Sequence, residues 1–390
     1  MSRQLTKMIA IYSVLLILAL ISGCSDDDCP TCPTDEVVEH YRGYLYYSEG
    51  NPQLCQFYKV DMETDSIVDS LSFPIGDVGV FDITEDGSLL AIRHSPLNVE
   101  DPADNSAAKT WLVDASTLSV IGELPFPMQP FFDEDRGLIV GRHNNSTSYL
   151  IRVLDFSSHQ SIYEDSTFGF GGEVIDRKGG FIYGSADPHG FASDSLGSNF
   201  YRYDYVNRRL ELVPIIYPNG DTIQVFKFCL NESGSRVYFK GIVETDPPFG
   251  ISVLGCYEVG SQTLLWSFET MGFHGGVAVS PDGREVYMTD PGQLGFDFDT
   301  GTIFILDAAS GAYLHGISMY GYQPIALVPL AGDDVLFSPT GEKAYVITGG
   351  VAGRQPGSMI VVDTKKREIQ KIISPDLMRH PQLMRIGPKP

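Results

Sequence analysis

From Tyr41 onward the chain alternates short apolar runs with polar turns, and no long stretch keeps a helical period. Two patterns recur. In the first, an apolar run ends in an acidic residue, turns through polar residues and enters a second run. It reads VDMETDSIV from Val60, VDASTLSVI from Val113, LDFSSHQSI from Leu154 and YDYVNRRLE from Tyr203. It returns as YEVGSQTLL from Tyr257, LDAASGAYL from Leu306 and VDTKKREIQ from Val362. The acidic residue falls at 61, 114, 155, 204, 258, 307 and 363, so successive copies lie 41 to 56 residues apart. The second pattern is a strand, a polar turn with glycine, and a strand. It begins at Thr84, Asp133, Asp176, Asn231, Ser280 and Ser338 and alternates with the first. Asp and Asn bond the local backbone and Gly supplies positive φ, so both patterns predict tight hairpins.

Two hairpins per unit make four strands, a to d, and a period near fifty residues makes each unit a propeller blade. Ile303–Leu306 and Ala344–Ile347 are apolar at successive positions, as a sheet covered on both faces requires. Seven copies of one hairpin and six of the other leave a half-blade at each end. Tyr44–Tyr47 reads as a strand b without a strand a, and Gln382–Gly387 as a strand a without a strand b. The predicted fold is all-β: a seven-bladed β-propeller of four antiparallel strands per blade. Its C-terminal strand completes the first blade and closes the ring, which removes exposed sheet edges.

The segment before Tyr41 reads differently. Arg3 and Lys7 precede an apolar run, Met8 to Ser22, shorter than the roughly 20 residues of a spanning helix. The run ends in Leu20-Ile21-Ser22-Gly23-Cys24, which resembles the lipobox of bacterial lipoproteins. The resemblance implies cleavage before Cys24 and lipid on its sulfur, with a thiolate as the nucleophile. Ser25 at the next position implies the outer membrane of a cell envelope. Residues 1–23 are thus expected to be a signal peptide, 24–40 an acidic, Pro-containing lipidated tether, and 41–390 the propeller.

The 50 acidic residues outnumber 27 basic ones, a net charge of −23, and loss of Arg3 and Lys7 makes the remainder more negative. Such a surface repels phosphate backbones and anionic headgroups. Nucleic-acid binding is therefore not expected, and the membrane is reached only through the lipid. A monomer is expected.

Residues 277–317 and 336–372, carrying VAVSPDGREVYMTD, GTIFILDAASGAYLHGI, LFSPTGEKAYVITGG and GSMIVVDTKKREIQKI, resemble the YVTN-type, YncE-like propeller repeats of bacterial surface proteins. The resemblance implies the fold and carries no shared active site.

The b–c connections are the long ones: Pro96 to Ala108, Ala186 to Ser198, Glu244 to Leu254, Pro291 to Gly301 and Gly349 to Gly357. Long loops on a rigid scaffold are where function resides. Arg93-His94 and Arg142-His143 share one repeat position and form a candidate cationic patch for a carboxylate or sugar acid, or else echo the repeat. His274, before strand a of blade six, is a candidate for the channel mouth, and Glu173 is another. Asp290, Asp297 and Asp299, with Glu244 and Asp246, offer oxygen ligands suited to Ca²⁺, although solvated acidic loops look the same. Trp111 and Trp266 are expected to pack between blades. Cys29 and Cys32 form a CxxC without the following His of haem attachment. Cys229 and Cys256 fall on strands a and c of one blade, about 10 Å apart, too far for a disulfide. With Cys55 they are expected to be unpaired and buried.

No nucleophile elbow, Walker loop, HExxH or dinucleotide-binding pattern stands in a fitting context. The expected role is non-catalytic: binding or scaffolding of an envelope protein, peptide or glycan through the face of the long loops. The alternative is a lactonase-like, metal-assisted hydrolase or a cofactor-dependent oxidoreductase at the channel mouth.

Overall fold

A computed structural model describes residues 41–49, 55–74, 76–96, 107–145, 148–167, 170–186, 200–243, 251–270, 275–290, 302–319, 331–349, 358–373 and 381–389. These form seven four-stranded antiparallel sheets, with no helix among the described residues. In six sheets the strands follow in chain order. In blade one, the C-terminal strand Pro381–Pro388 lies against Gly43–Glu49, with Tyr44 opposite Gly387 and Ser48 opposite Leu383. The predicted ring closure is the observed one.

The two hairpin patterns have distinct chemistry. In the six a–b turns a glycine stands at φ between 66° and 76°; in five it donates its amide to the carbonyl three residues back, as Gly87 does to Thr84, and in the sixth Gly180 donates to Asp176, four back. Positive φ costs glycine little, which is why it recurs there. The c–d turns use a carboxylate instead. Asp61, Asp114, Asp155, Asp204, Asp307 and Asp363 each accept the amide of the residue three ahead. The residue four ahead then takes positive φ in all seven copies: Asp65, Leu118, His159, Arg208, Gln262, Gly311 and Arg367. Six of these are not glycine, and they are the only non-glycine residues at positive φ among the described residues.

That strained residue commonly reaches back to the preceding blade. Arg208 bonds Asp165 of blade three at 2.9 Å, and Arg367 pairs with Glu285 of blade six at 2.5 Å. Gln262 donates to Glu211 of blade four at 3.2 Å, and Leu118 is buried among Tyr46 and Phe57 of blade one. The carbonyl following the acidic residue points the same way. Lys343 caps Met62, Lys59 caps Ala115, Tyr163 caps Tyr205 and Trp266 caps Ala308. Each donor belongs to the preceding blade, and the predicted inter-blade role of Trp266 is the observed one.

Apolar side chains fill the spaces between sheets, as where Ala278, Tyr287 and Ile305 of blade six meet Val335, Val346 and Ile360 of blade seven. Leu306 and Ala344 through Ile347 are fully buried, as sheets covered on both faces require. Cys55, Cys229 and Cys256 form no disulfide. Cys229 and Cys256 both stand opposite Tyr238, on either side of its strand. Burial pushes their thiols up, to about 12 and about 11. Cys229 departs from the expected full burial: on the innermost strand, it is half-buried.

Candidate functional site

Strand order assigns the connections to two faces. The a–b and c–d turns share one, and the b–c and d–a connections share the other. Neighbouring a–b turns interlock on the first face. Glu134 accepts the amide of Glu85 at 2.5 Å, Arg136 donates to the carbonyls of Arg177 and Lys178, and Lys178 pairs with Glu232.

On the other face, His274, Glu244, Asp246, Asp297 and Asp299 lie outside the described residues. For three further candidates only the backbone is described. Asp290 ends strand b of blade six opposite Thr302, Glu173 pairs with Gly184 beside a bulge, and His143 pairs with Leu150. Strand c of blade five starts at Ile251, so Leu254 belongs to a strand rather than to the preceding loop.

Arg93 and Arg142 are the fifth residues of their eight-residue strands, Leu89–Pro96 and Leu138–Asn145. Strand alternation sends Arg93 and His94 to opposite sheet faces. Arg93 shares its side with Ala91, which packs on blade three, and is half-buried. His94 turns to blade one, stacks on Phe73 at 5.3 Å and bonds the Pro74 carbonyl through Nε2 at 3.0 Å. Arg142 is buried on the side of Ile151, at the joint with blade four. These side chains are therefore divided among three inter-blade joints.

The a strands of blades seven, one, two and three touch in succession, as do those of blades four to seven, and they form the inner wall. Charged residues interrupt that apolar wall. Asp82 in blade two is 3% exposed and takes Nη2 of Arg177, from the blade-four turn, at 2.6 Å. It also accepts the Phe132 amide at 2.9 Å, and Arg385 of blade one approaches to 3.9 Å. Arg177 donates through Nε to the Phe132 carbonyl at 2.6 Å, which ties blades two, three and four together. Asp334 of blade seven faces Lys227 of blade five and Arg385. Burial raises its carboxyl, and the two cations pull it back only in part.

Sequence reasoning passed over Asp82, Arg177, Lys227, Asp334 and Arg385. The available signal was a charged residue inside an apolar strand, as in VFDI, VFKF and LMRIG.

The Gly276 amide bonds the Thr289 hydroxyl at 2.7 Å, and Thr289 is fully buried. A Cβ on Gly276 would stand 2.6 Å from the Asp334 backbone, so this glycine lets blades six and seven meet there.

No family model matches the chain, and no curated protein matches it. Solved structures do. A functionally unknown protein from Desulfotomaculum acetoxidans is 13% identical over 88% of this chain and 99% of its own, with a TM-score of 0.59. The Cps50 (Swd1) β-propeller domain of Myceliophteria thermophila is 10% identical over 77% and 87%, with a TM-score of 0.54. Kuenenia stuttgartiensis hydrazine synthase is 17% identical over 74% and 77%, with a TM-score of 0.52. At these identities the likeness is one of fold, and a fold hosts many functions.

Proposed function

We propose that this chain is a lipid-anchored envelope protein of the YVTN-type repeat family, whose propeller is a non-catalytic binding or scaffold module. Cys24 carries the lipid, and the b–c face takes an envelope protein, peptide or glycan. One observation carries this reading: the division of connections. The thirteen tight turns fall on one face, where the a–b turns of blades two to five interlock, and the strands that bound the long connections end on the other. The channel charges add support, because Asp82 and Arg177 bond each other and the positive charges of Lys227 and Arg385 act on Asp334.

Two measurements test the proposal. Fatty-acid labelling in a bacterial host should mark the wild-type chain and leave Cys24→Ser unlabelled in the soluble fraction; label retained by Cys24→Ser would remove the anchor. Separately, the domain from Val37 onward should gain thermal stability with peptidoglycan fragments or envelope oligosaccharides, equally with and without EDTA. Turnover of lactone substrates would replace binding by catalysis.

A further inference from the structure

The point at which the chain joins the propeller lies on a definite face. Strand b of blade one, Gly43–Glu49, runs from the tight-turn face towards the b–c face. Its start is held among residues of the tight-turn face. The Gly43 carbonyl accepts the amide of Met62, in the first c–d turn, at 3.2 Å. The Arg42 carbonyl accepts the amide of Lys389 at 3.4 Å, and Lys389 pairs with Asp61 at 2.9 Å. Tyr41 packs against the cluster that joins blades seven and one. The first described residues and the last therefore sit together on that face.

We infer that the tight-turn face is the side of the propeller turned to the bilayer, and that the b–c face points away from it. The inference rests on the lipid anchor proposed above. Seventeen positions separate Cys24 from Tyr41. A flexible coil of that length spans about 23 Å, an acidic Pro-containing one more, and at most about 60 Å fully extended. Seating the opposite face on the bilayer would require the chain to pass two outer strands, about 10 Å. It would then climb an eight-residue strand length, about 26 Å. That path takes more than half of the fully extended length, so most of the chain's conformations hold the tight-turn face nearer the lipid. A partner on the b–c face is then one that approaches from the aqueous side, such as a soluble or wall-bound molecule rather than a lipid of the same bilayer.

The test uses the full-length lipidated protein on phosphatidylethanolamine–phosphatidylglycerol vesicles with headgroup energy acceptors. A fluorescent amino acid replaces Ser233 in the a–b turn of blade five, or Asn219 in the connection from blade four to blade five. Both positions are exposed and lie at the same blade joint, so tilting of the domain moves them alike. Energy transfer at Ser233 should exceed that at Asn219 by at least about twofold, given the ~26 Å between faces. Equal or reversed transfer, with the protein floating on the vesicles, overturns the orientation and leaves the anchor standing. Wild-type protein that fails to float, as Cys24→Ser should, removes the anchor and the orientation with it.

Discussion

Lys343, at the start of strand b of blade seven, and Asp65, in the c–d turn of blade one, pair at 2.7 Å although 278 residues separate them. The Tyr345 hydroxyl donates to the same carboxylate at 3.1 Å, and Lys343 also caps the Met62 carbonyl at 2.9 Å. At the neighbouring joint of blades six and seven the polarity is reversed: Glu285 begins strand b and Arg367 is the turn residue. A blade docked at the wrong joint would set like charges together, so the two pairs help specify how the ring closes. Asp65→Ala orphans the buried Tyr345 hydroxyl and takes the carboxylate from half-buried Lys343, and should cost about 1–3 kcal/mol in urea unfolding. A double-mutant cycle with Lys343→Met should show coupling of about 1–3 kcal/mol. A coupling near zero would deny the pair this role.

A chain ending at Ser374 lacks the strand that pairs with Gly43–Glu49 and leaves a half-blade with an open edge. The truncated domain should lose its cooperative thermal transition. A melt superimposable on that of the complete domain would mean that the terminal strand does not hold the ring shut.

The turn carboxylates give the protein an acid limit. Bonds from Ser116 and Thr117 hold Asp114 down to about 2, and those from Ser157 and Ser158 do the same for Asp155. A carboxyl held below its unfolded value stabilises the fold above about pH 4, and that contribution fades as pH falls towards about 2. The destabilisation caused by Asp155→Ala at neutral pH should therefore shrink across that window. A mutational effect unchanged by acid would separate the turn bonds from ionisation.

Asp334 has the opposite sign. Burial lifts its carboxyl above the ordinary value, against the pull of Lys227 and Arg385. The folded state then favours the protonated form, so its ionisation opposes folding at neutral pH and the penalty lifts as pH falls through the raised value. Asp334→Asn should melt at or above the wild-type temperature at neutral pH, with the advantage gone in acid. A lower melt at neutral pH would show that the two cations depend on the carboxylate more than burial opposes it.

Gly311 occupies the turn position that other blades fill with larger residues, because Trp266 of blade five lies over it. A Cβ there would stand 2.6 Å from the indole ring, and φ is +72°. Gly311→Ala should cost about 1–3 kcal/mol through overpacking and shift the Trp266 emission. The double variant with Trp266→Phe should recover part of that loss.

Metal dependence separates the hydrolase alternative. Anything that binds only the folded state raises its stability. If Asp290, Asp297, Asp299, Glu244 and Asp246 held Ca²⁺, EDTA would lower the melt of the domain from Val37 and calcium would restore it. A binding module without metal should melt alike in both.

The repeat by itself determined blade number, strand order and closure. Each hairpin is encoded locally by a carboxylate or a glycine at a fixed offset, and counting hairpins leaves two half-blades that must meet. The inter-blade contacts were not legible. In four blades the carbonyl after the turn acid is capped by a lysine, tyrosine or tryptophan from various strands, so no spacing announces it. Arg93 and His94 read as neighbours, yet strand alternation sends them to opposite joints. Asp82 and Arg177 lie 95 residues apart and meet only because the ring brings blades two and four to a common axis. Local chemistry sets the period of a propeller, whereas the composition of its channel depends on which strands the closed ring turns inward.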